Sequence, residues 1–228
     1  MTPETTESLA QRYTRLSREG RERRAVDVVL RGLDIAVSAV TLIVFSPALL
    51  LVATAILTTS GRPLLYRGLR VGRHGRIFHM YKFRTLAPDA ESRLGPYYGH
   101  ALSLRTDAEV TGLGRWLRAS QLDEIPQLWN VLRGDMSIVG PRPIRPTFFE
   151  ELARDIPQYW QRLVVRPGLT GFAQTRMGRE EAWAEKLAHD LEYIADRSVS
   201  LYLRVVAATV WRVLRQSAGA VWGLIRRK

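Results

Sequence analysis

The 228-residue chain contains no cysteine, which excludes disulfides and thiolate metal sites. It also has no internal repeat and no low-complexity linker that would divide it into separate units. Acidic residues are the scarcer charge: 22 Asp and Glu stand against 34 Lys and Arg, a net charge of +12. A chain this basic seeks a polyanion, whether nucleic acid, an anionic membrane face or a phosphorylated substrate. Charge is missing altogether from one long stretch, since no ionisable side chain occurs between Ile35 and Leu57.

As a helix that stretch is about 35 Å long, enough to cross a hydrocarbon core of about 30 Å. It begins too late and runs too long for a cleaved signal peptide. Ser46-Pro47 sits at its midpoint. Proline there removes a helix hydrogen bond and bends the axis. Both flanks are basic: Arg12, Arg15, Arg18, Arg21, Arg23, Arg24 and Arg31 precede the stretch, and Arg62, Arg67, Arg70 and Arg73 follow it. The positive-inside rule places both flanks in the cytosol, which a hairpin broken at Pro47 satisfies and a spanning helix does not. Each arm, at about 18 Å, reaches about mid-bilayer. Prolines also occur in spanning helices, so these residues alone leave both topologies open. Arg31 and Asp34, one helical turn apart, are expected to pair at the interface. Residues 1–30 read as a basic arm, a cytosolic helix or a loose segment against anionic lipid.

The C-terminal residues 199–228 carry a second membrane signal. At helical spacing Arg204, Arg212, Arg215 and Arg226 fall on one face, opposite Val206, Val210, Val213, Leu214, Val221, Leu224 and Ile225. Trp211 and Trp222 add interfacial character. The pattern fits a helix in the headgroup plane, or an amphipathic helix packed on the domain core.

Between these segments lies a globular part, residues 61–198. Gly68, Gly72 and Gly75 suggest a hairpin turn feeding a strand through Lys82-Phe83-Arg84-Thr85, with Lys82 and Arg84 on one face. Residues 87–110 read as a loop, Gly114–Arg118 as helical, and 125–133 as a short helix opening with Pro126. Asp123 and Glu124 stand just before that helix, where an acidic residue is ordinarily a cap. A carboxylate pair also suits metal binding or nucleophilic work, and Arg118, Arg133 and Arg142 around it suit a phosphate. Gly140-Pro141-Arg142-Pro143 and Arg166-Pro167-Gly168 each hold an arginine beside a stiff turn.

Taken together and in order, these segments resemble the monotopic phosphoglycosyl transferases, the bacterial sugar transferase family. The resemblance rests on Ser46-Pro47, Arg70-x-Gly72-x-x-Gly75-x-x-Phe78, Lys82-Phe83-Arg84-Thr85 and Leu122-Asp123-Glu124-x-Pro126-Gln127-Leu128-x-Asn130. It continues through Gly134-Asp135-Met136-Ser137, Val139-Gly140-Pro141-Arg142-Pro143 and Pro167-Gly168-Leu169-Thr170-Gly171. It implies an α+β, mostly helical monotopic protein with a re-entrant segment (31–60) broken at Ser46-Pro47, a small β-hairpin and interfacial amphipathic helices. It implies transfer of a sugar 1-phosphate from a UDP-sugar to polyprenol (undecaprenyl) phosphate, with UMP released. Asp123 would be the nucleophile and a ligand of Mg²⁺, and Glu124 would assist. Lys82, Arg84, Arg118, Arg142 and Arg166 would bind substrate phosphates. The expected partners are the two substrates and anionic lipid of the bacterial inner membrane at its cytosolic face, with no nucleic acid. A homodimer is compatible with such an enzyme. The chain departs from the family pattern at Gly68 and at Asp107-Ala-Glu-Val-Thr111, both affecting inference about the sugar pocket. Two other readings use the same residues: a non-catalytic basic membrane-surface binding protein, and a UDP-sugar diphosphatase with water as acceptor.

Overall fold

The computed structural model describes residues 24–90, 93, 106–177 and 182–225, with the backbone alone for residues 24 and 217–225. Most of the basic arm, Arg226, and the side chains of Val221, Trp222, Leu224 and Ile225 therefore lie outside the described residues.

Helix α1 (Arg24–Ser60) runs unbroken through Pro47. An interruption is expected there, because proline has no N–H for the carbonyl four residues back. Ser46 replaces it: its Oγ donates to Ile43 O at 2.7 Å. Farther on, Thr54 Oγ1 donates to Leu50 O at 2.9 Å and Thr59 Oγ1 to Ala55 O at 2.7 Å, so these hydroxyls are satisfied within the helix. Among the described residues α1 is the one helix long and apolar enough to cross a membrane. Its middle makes little contact with the protein: Ile43 and Leu51 are each 72% exposed.

Both ends of α1 are docked. Near its start, Leu30 is buried in the main core. Arg31 donates to Val131 O at 2.7 Å and Leu132 O at 3.0 Å. These are end carbonyls of helix α3 (Gln127–Arg133), where a cation meets the negative pole of the helix. Asp34 is buried and accepts hydrogen bonds from Ser137 Oγ (3.0 Å), Ile138 N (2.9 Å) and Tyr202 OH (3.0 Å). The expected Arg31–Asp34 pair is thus not made; each side chain ties α1 to the globular part instead. Asp27 adds an ion pair with Arg197 at 2.7 Å. Near the other end, Val52 and Ile56 form a smaller core with Phe83 and Leu117. Arg84 Nη2 caps the helix, donating to Ser60 O at 2.5 Å and Gly61 O at 2.7 Å.

Strands β1 (Leu65–Val71) and β2 (Ile77–Phe83) form the expected antiparallel hairpin, Leu65 opposite Phe83 and Val71 opposite Ile77. Gly75 takes a φ of +79° in the turn, a region that glycine enters without a steric penalty. Arg84 lies just past the strand, so its side chain turns to α1 and does not share a strand face with Lys82. Helix α2 (Gly112–Ser120) starts at Thr111, whose Oγ1 accepts from Gly114 N at 2.9 Å.

Strand β3 (Ser137–Val139) pairs in parallel with β4 (Gly168–Thr170), across helix α4 (Pro146–Asp155). This pairing joins the two stiff turns that the sequence presents separately: Gly140 N donates to Thr170 O and Gly168 N to Pro141 O, both at 2.9 Å. The approach is possible only without side chains, since a Cβ on Gly168 would lie 2.2 Å from Gly140 N. Helices α5 (Phe172–Arg176), α6 (Trp183–Asp196) and α7 (Val199–Ile225) complete the fold.

Helix α7 has two parts. Leu201, Tyr202 and Val205 are buried in the core, while Val210, Trp211 and Leu214 are exposed. Arg212 does not join a solvent-facing arginine stripe. It is half-buried, and its Nη1 donates to Gln174 O next to the end of α5.

Candidate active site

A short 3₁₀ turn, Leu122–Glu124, separates α2 from α3. Gln121 makes the break, with φ 56° in the left-handed region. The turn sets Asp123 and Glu124 into a cleft of about 2150 Å³ that Lys82, Arg84, Arg118 and Arg142 also line. Six of the seven site residues expected from sequence are therefore together. Arg166 is the exception: it is not among the lining residues, and its Nε donates to Gly134 O at 2.9 Å, on the side where Arg31 and Arg73 lie.

Asp123 is 8% exposed. Its carboxylate caps no amide of α3; Pro126 occupies that helix's N-cap position. Burial foremost, and then the adjacent Glu124 charge, push its pKa from 3.8 up to about 6, against the opposing pull of Lys82 and Arg118. Lys82 Nζ lies 2.5 Å from Glu124 Oε1. Arg118 Nε donates to Thr85 Oγ1 at 2.9 Å, and its Nη1 lies 3.9 Å from Asp107 Oδ1. A capping carboxylate would be pulled below its ordinary pKa by the helix amides; this one is buried, raised and flanked by cations.

Residues that sequence reasoning left out complete the site. Arg162 is buried and pairs with Asp190 at 2.7 Å. It also donates to Tyr159 OH at 2.6 Å and to Arg142 O at 3.0 Å, which fixes the turn that presents Arg142. Nothing in Tyr159-Trp-Gln-Arg162 distinguishes this arginine from a surface one. Arg70 and Arg145 also line the cleft. Arg70 belongs to a quoted motif, and Arg145 stands two residues past Pro143, so proximity to Arg142 in sequence was an available signal for it.

Apolar residues of two helices also line the cleft. Val37, Thr41 and Phe45 of α1 form one wall and Val206, Val210 and Leu214 of α7 contribute another. The carboxylate pair and the exposed membrane-length helix thus border a single cavity.

The profile of the bacterial sugar transferase family matches residues 25–216. The chain belongs to the bacterial sugar transferase family. It is 42% identical over 193 residues to the UDP-glucose:undecaprenyl-phosphate glucose-1-phosphate transferase of Caulobacter vibrioides, covering 82% of this chain and 70% of that protein. It is 36% identical over 189 residues to the UDP-N-acetylgalactosamine-undecaprenyl-phosphate N-acetylgalactosaminephosphotransferase of Aeromonas hydrophila, covering 82% of this chain and 44% of that one. To the exopolysaccharide production protein PSS of Rhizobium leguminosarum bv. phaseoli it is 36% identical over 206 residues, covering 85% of this chain and 100% of that protein. The chain thus spans less than half of the Aeromonas relative and the whole of the Rhizobium one. The family part holds the Asp123–Glu124 turn, the hairpin and both stiff turns. The relatives' names differ in sugar, so family membership leaves the sugar unassigned.

Proposed function

We propose that the protein transfers a sugar 1-phosphate from a UDP-sugar to undecaprenyl phosphate through a covalent intermediate on Asp123. The observation that carries this reading is the position of Asp123: a buried carboxylate beside Lys82 and Arg118, in a cleft that apolar residues of α1 also line. A Asp123 carboxylate oxygen attacks the β-phosphorus, the bond from that phosphorus to the bridging oxygen breaks, and UMP leaves. The polyprenol phosphate then attacks the aspartyl phosphosugar, forming the lipid-linked diphosphate sugar and restoring the carboxylate. Two half-reactions at one carboxylate let a water-soluble donor and a membrane acceptor use the cleft in turn.

The site fits Mg²⁺. Among the described residues no group of three or more His, Asp or Glu side chains converges. Mg²⁺ is bound through one or two carboxylates together with substrate phosphates and water. Asp123 would hold it, with Glu124 adjacent. Bound there, it would supply neutralisation of the charge between carboxylate and diphosphate. Lys82 holds Glu124 in place, and Arg118 and Arg142 face the phosphates. Arg84, engaged with the end of α1, acts by fixing that wall. Arg166, which bonds Gly134 O and does not line the cleft, has no assigned contact in this reading.

The same reading places the protein on the cytosolic face of the inner membrane with α1 re-entrant. Two-ended docking supports this. Asp34 and Ile56 both pack on the one globular body, whereas a straight spanning helix would carry its ends to opposite sides. Ser46-Pro47 lies in the exposed middle, and the exposed half of α7, with Trp211, suits the headgroup plane. The absence of native cysteine makes the topology test clean. Single cysteines placed at residues 20 and 65 are expected to react with an impermeant maleimide from the cytosolic side only. Reaction from opposite sides would establish a spanning helix.

Activity is tested by UMP release from a panel of UDP-sugars with polyprenol phosphate, in Mg²⁺. Lipid-linked diphosphate sugar is the expected product. Free sugar 1-phosphate without lipid product would make the protein a diphosphatase, and no turnover would leave only a binding protein. Burial and Glu124 raise the Asp123 pKa to about 6 with no metal bound, and Mg²⁺ on the carboxylate would lower it, so the acid limb of kcat/KM should move to lower pH as Mg²⁺ is raised. An acid limb that stays fixed as Mg²⁺ is varied would exclude Asp123 as the ionising metal ligand.

A further inference from the structure

A second gathering of arginines stands outside the cleft, at the base of α1. Arg31 and Arg166 meet at Gly134, just past the end of α3. Arg166 Nε donates to Gly134 O at 2.9 Å, and Arg31 Nη2 lies 3.5 Å from where a Cβ on Gly134 would be. Arg73, in the turn between β1 and β2, donates from Nε to Val164 O at 3.1 Å, two residues before Arg166. The three charges are close enough to act on one another. Burial foremost lowers the pKa of Arg166 and of Arg73; the Arg31 charge lowers Arg166 further, and the Arg166 charge lowers Arg73. The nearby carboxylates are engaged elsewhere: Asp27 pairs with Arg197 at 2.7 Å, Asp34 accepts its three hydrogen bonds, and Asp135 lies 3.4 Å from Arg133. Arg73 and Arg166 are each held by Nε alone, so among the described residues their Nη groups have no partner. None of the three arginines lines the catalytic cleft.

A guanidinium tethered at Nε, with its Nη groups free, is a fork of fixed direction that suits phosphate oxygens. Arg31 stands four residues before the charge-free stretch of α1, about 6 Å along the axis. That is headgroup depth when the stretch lies in the membrane. Ile35, one helical turn on and on the same side of α1 as Arg31, is exposed. We propose that Arg31, Arg73 and Arg166 bind the headgroup phosphate of an anionic phospholipid, at a site separate from the catalytic cleft. A soluble phosphate has the same chemistry, but the depth of Arg31 and the apolar surface beginning at Ile35 favour a lipid, whose chains would lie along α1. A zwitterionic lipid carries the phosphate too, yet brings an ammonium group toward three cations; phosphatidylglycerol brings only hydroxyls. Because Arg31 also binds the end carbonyls of α3, a lipid held there fastens the base of α1 to the globular part. The site requires only that α1 enters the membrane, and holds whether or not Asp123 transfers a sugar phosphate.

The test places the full chain in phosphatidylcholine nanodiscs, with and without phosphatidylglycerol. Phosphatidylglycerol should raise the thermal midpoint of the wild type by several degrees. Arg73→Gln should lose most of that gain, and Arg73→Gln combined with Arg166→Gln should lose all of it, while Arg73→Lys should keep part. The gain is a difference within each variant, so a lower starting stability does not imitate its loss. Arg204→Gln removes the same charge from an exposed position on α7 and should keep the full gain. No gain in the wild type, or a full gain in the double variant, would overturn the site. An equal loss in Arg204→Gln would also overturn it, by reducing the effect to general attraction of a basic surface. A wild-type gain of the same size from inorganic phosphate in phosphatidylcholine alone would overturn the lipid assignment in favour of a soluble anion.

Discussion

Asp123→Asn should reduce UMP release by at least about a thousandfold and, at neutral pH, make the protein more stable. The amide keeps the shape of the side chain but offers no anionic oxygen to phosphorus. The stability gain follows from the sign of the shift. Burial and Glu124 raise the Asp123 pKa from 3.8 to about 6, so the folded protein disfavours the ionised form. A carboxyl raised in this way destabilises the fold at pH values above about 6, and the cost disappears as pH falls below about 4. A shift of this size corresponds to roughly 3 kcal/mol. Thermal scans of wild type and Asp123→Asn should therefore differ by several degrees at pH 7.5 and converge near pH 4. An inactive variant that melts earlier than wild type at pH 7.5 would point to a structural role for Asp123 instead.

Asp34→Ala should produce the largest loss of stability of any single change at the base of α1, on the order of 3–5 kcal/mol. The carboxylate is 2% exposed and accepts from Ser137 Oγ, Ile138 N and Tyr202 OH. Alanine leaves a buried amide and a buried phenol without their acceptor, and removes the link joining α1 to both β3 and α7. Limited proteolysis should then cut near β3 or the start of α7 at rates well above wild type. Asp34→Asn keeps an accepting oxygen and should recover part of the loss. Equal melting of Asp34→Ala and wild type would show that Arg31 and the Asp27–Arg197 pair dock the helix without it.

The hairpin, the short helices on either side of Asp123, and the apolar helix were legible because each depends on local chemistry. Glycines mark the hairpin, Pro126 marks the start of α3, and a run without charge marks α1. Six of the seven expected site residues meet in one cleft for the same reason, since Lys82 and Asp123 lie on neighbouring short elements. What could not be read depends on contacts between distant segments. Arg31 and Asp34 look like a helix pair until α3, β3 and α7 offer them other partners. Arg166 stands beside a stiff turn in the sequence, and its bond to Gly134 O depends on a segment 32 residues away. The parallel pairing itself has strands of three residues, too short to leave a periodic signal. Arg162 and Asp190 are ordinary surface types in sequence and become a buried pair only because α6 closes over them. At Ser46-Pro47 the serine hydroxyl takes the Ile43 carbonyl that proline leaves without a donor, so helical structure continues on both sides of the expected break, a local bond that the sequence does not announce.

The covalent step is tested most directly with a UDP-sugar radiolabelled at its β-phosphate, incubated with the enzyme and Mg²⁺ but without polyprenol phosphate. Label should appear on the peptide containing Asp123, one equivalent per UMP released, and should pass to lipid when polyprenol phosphate is added. UMP release with no label on the protein, or label retained on the Asp123→Asn variant, would contradict nucleophilic attack by Asp123.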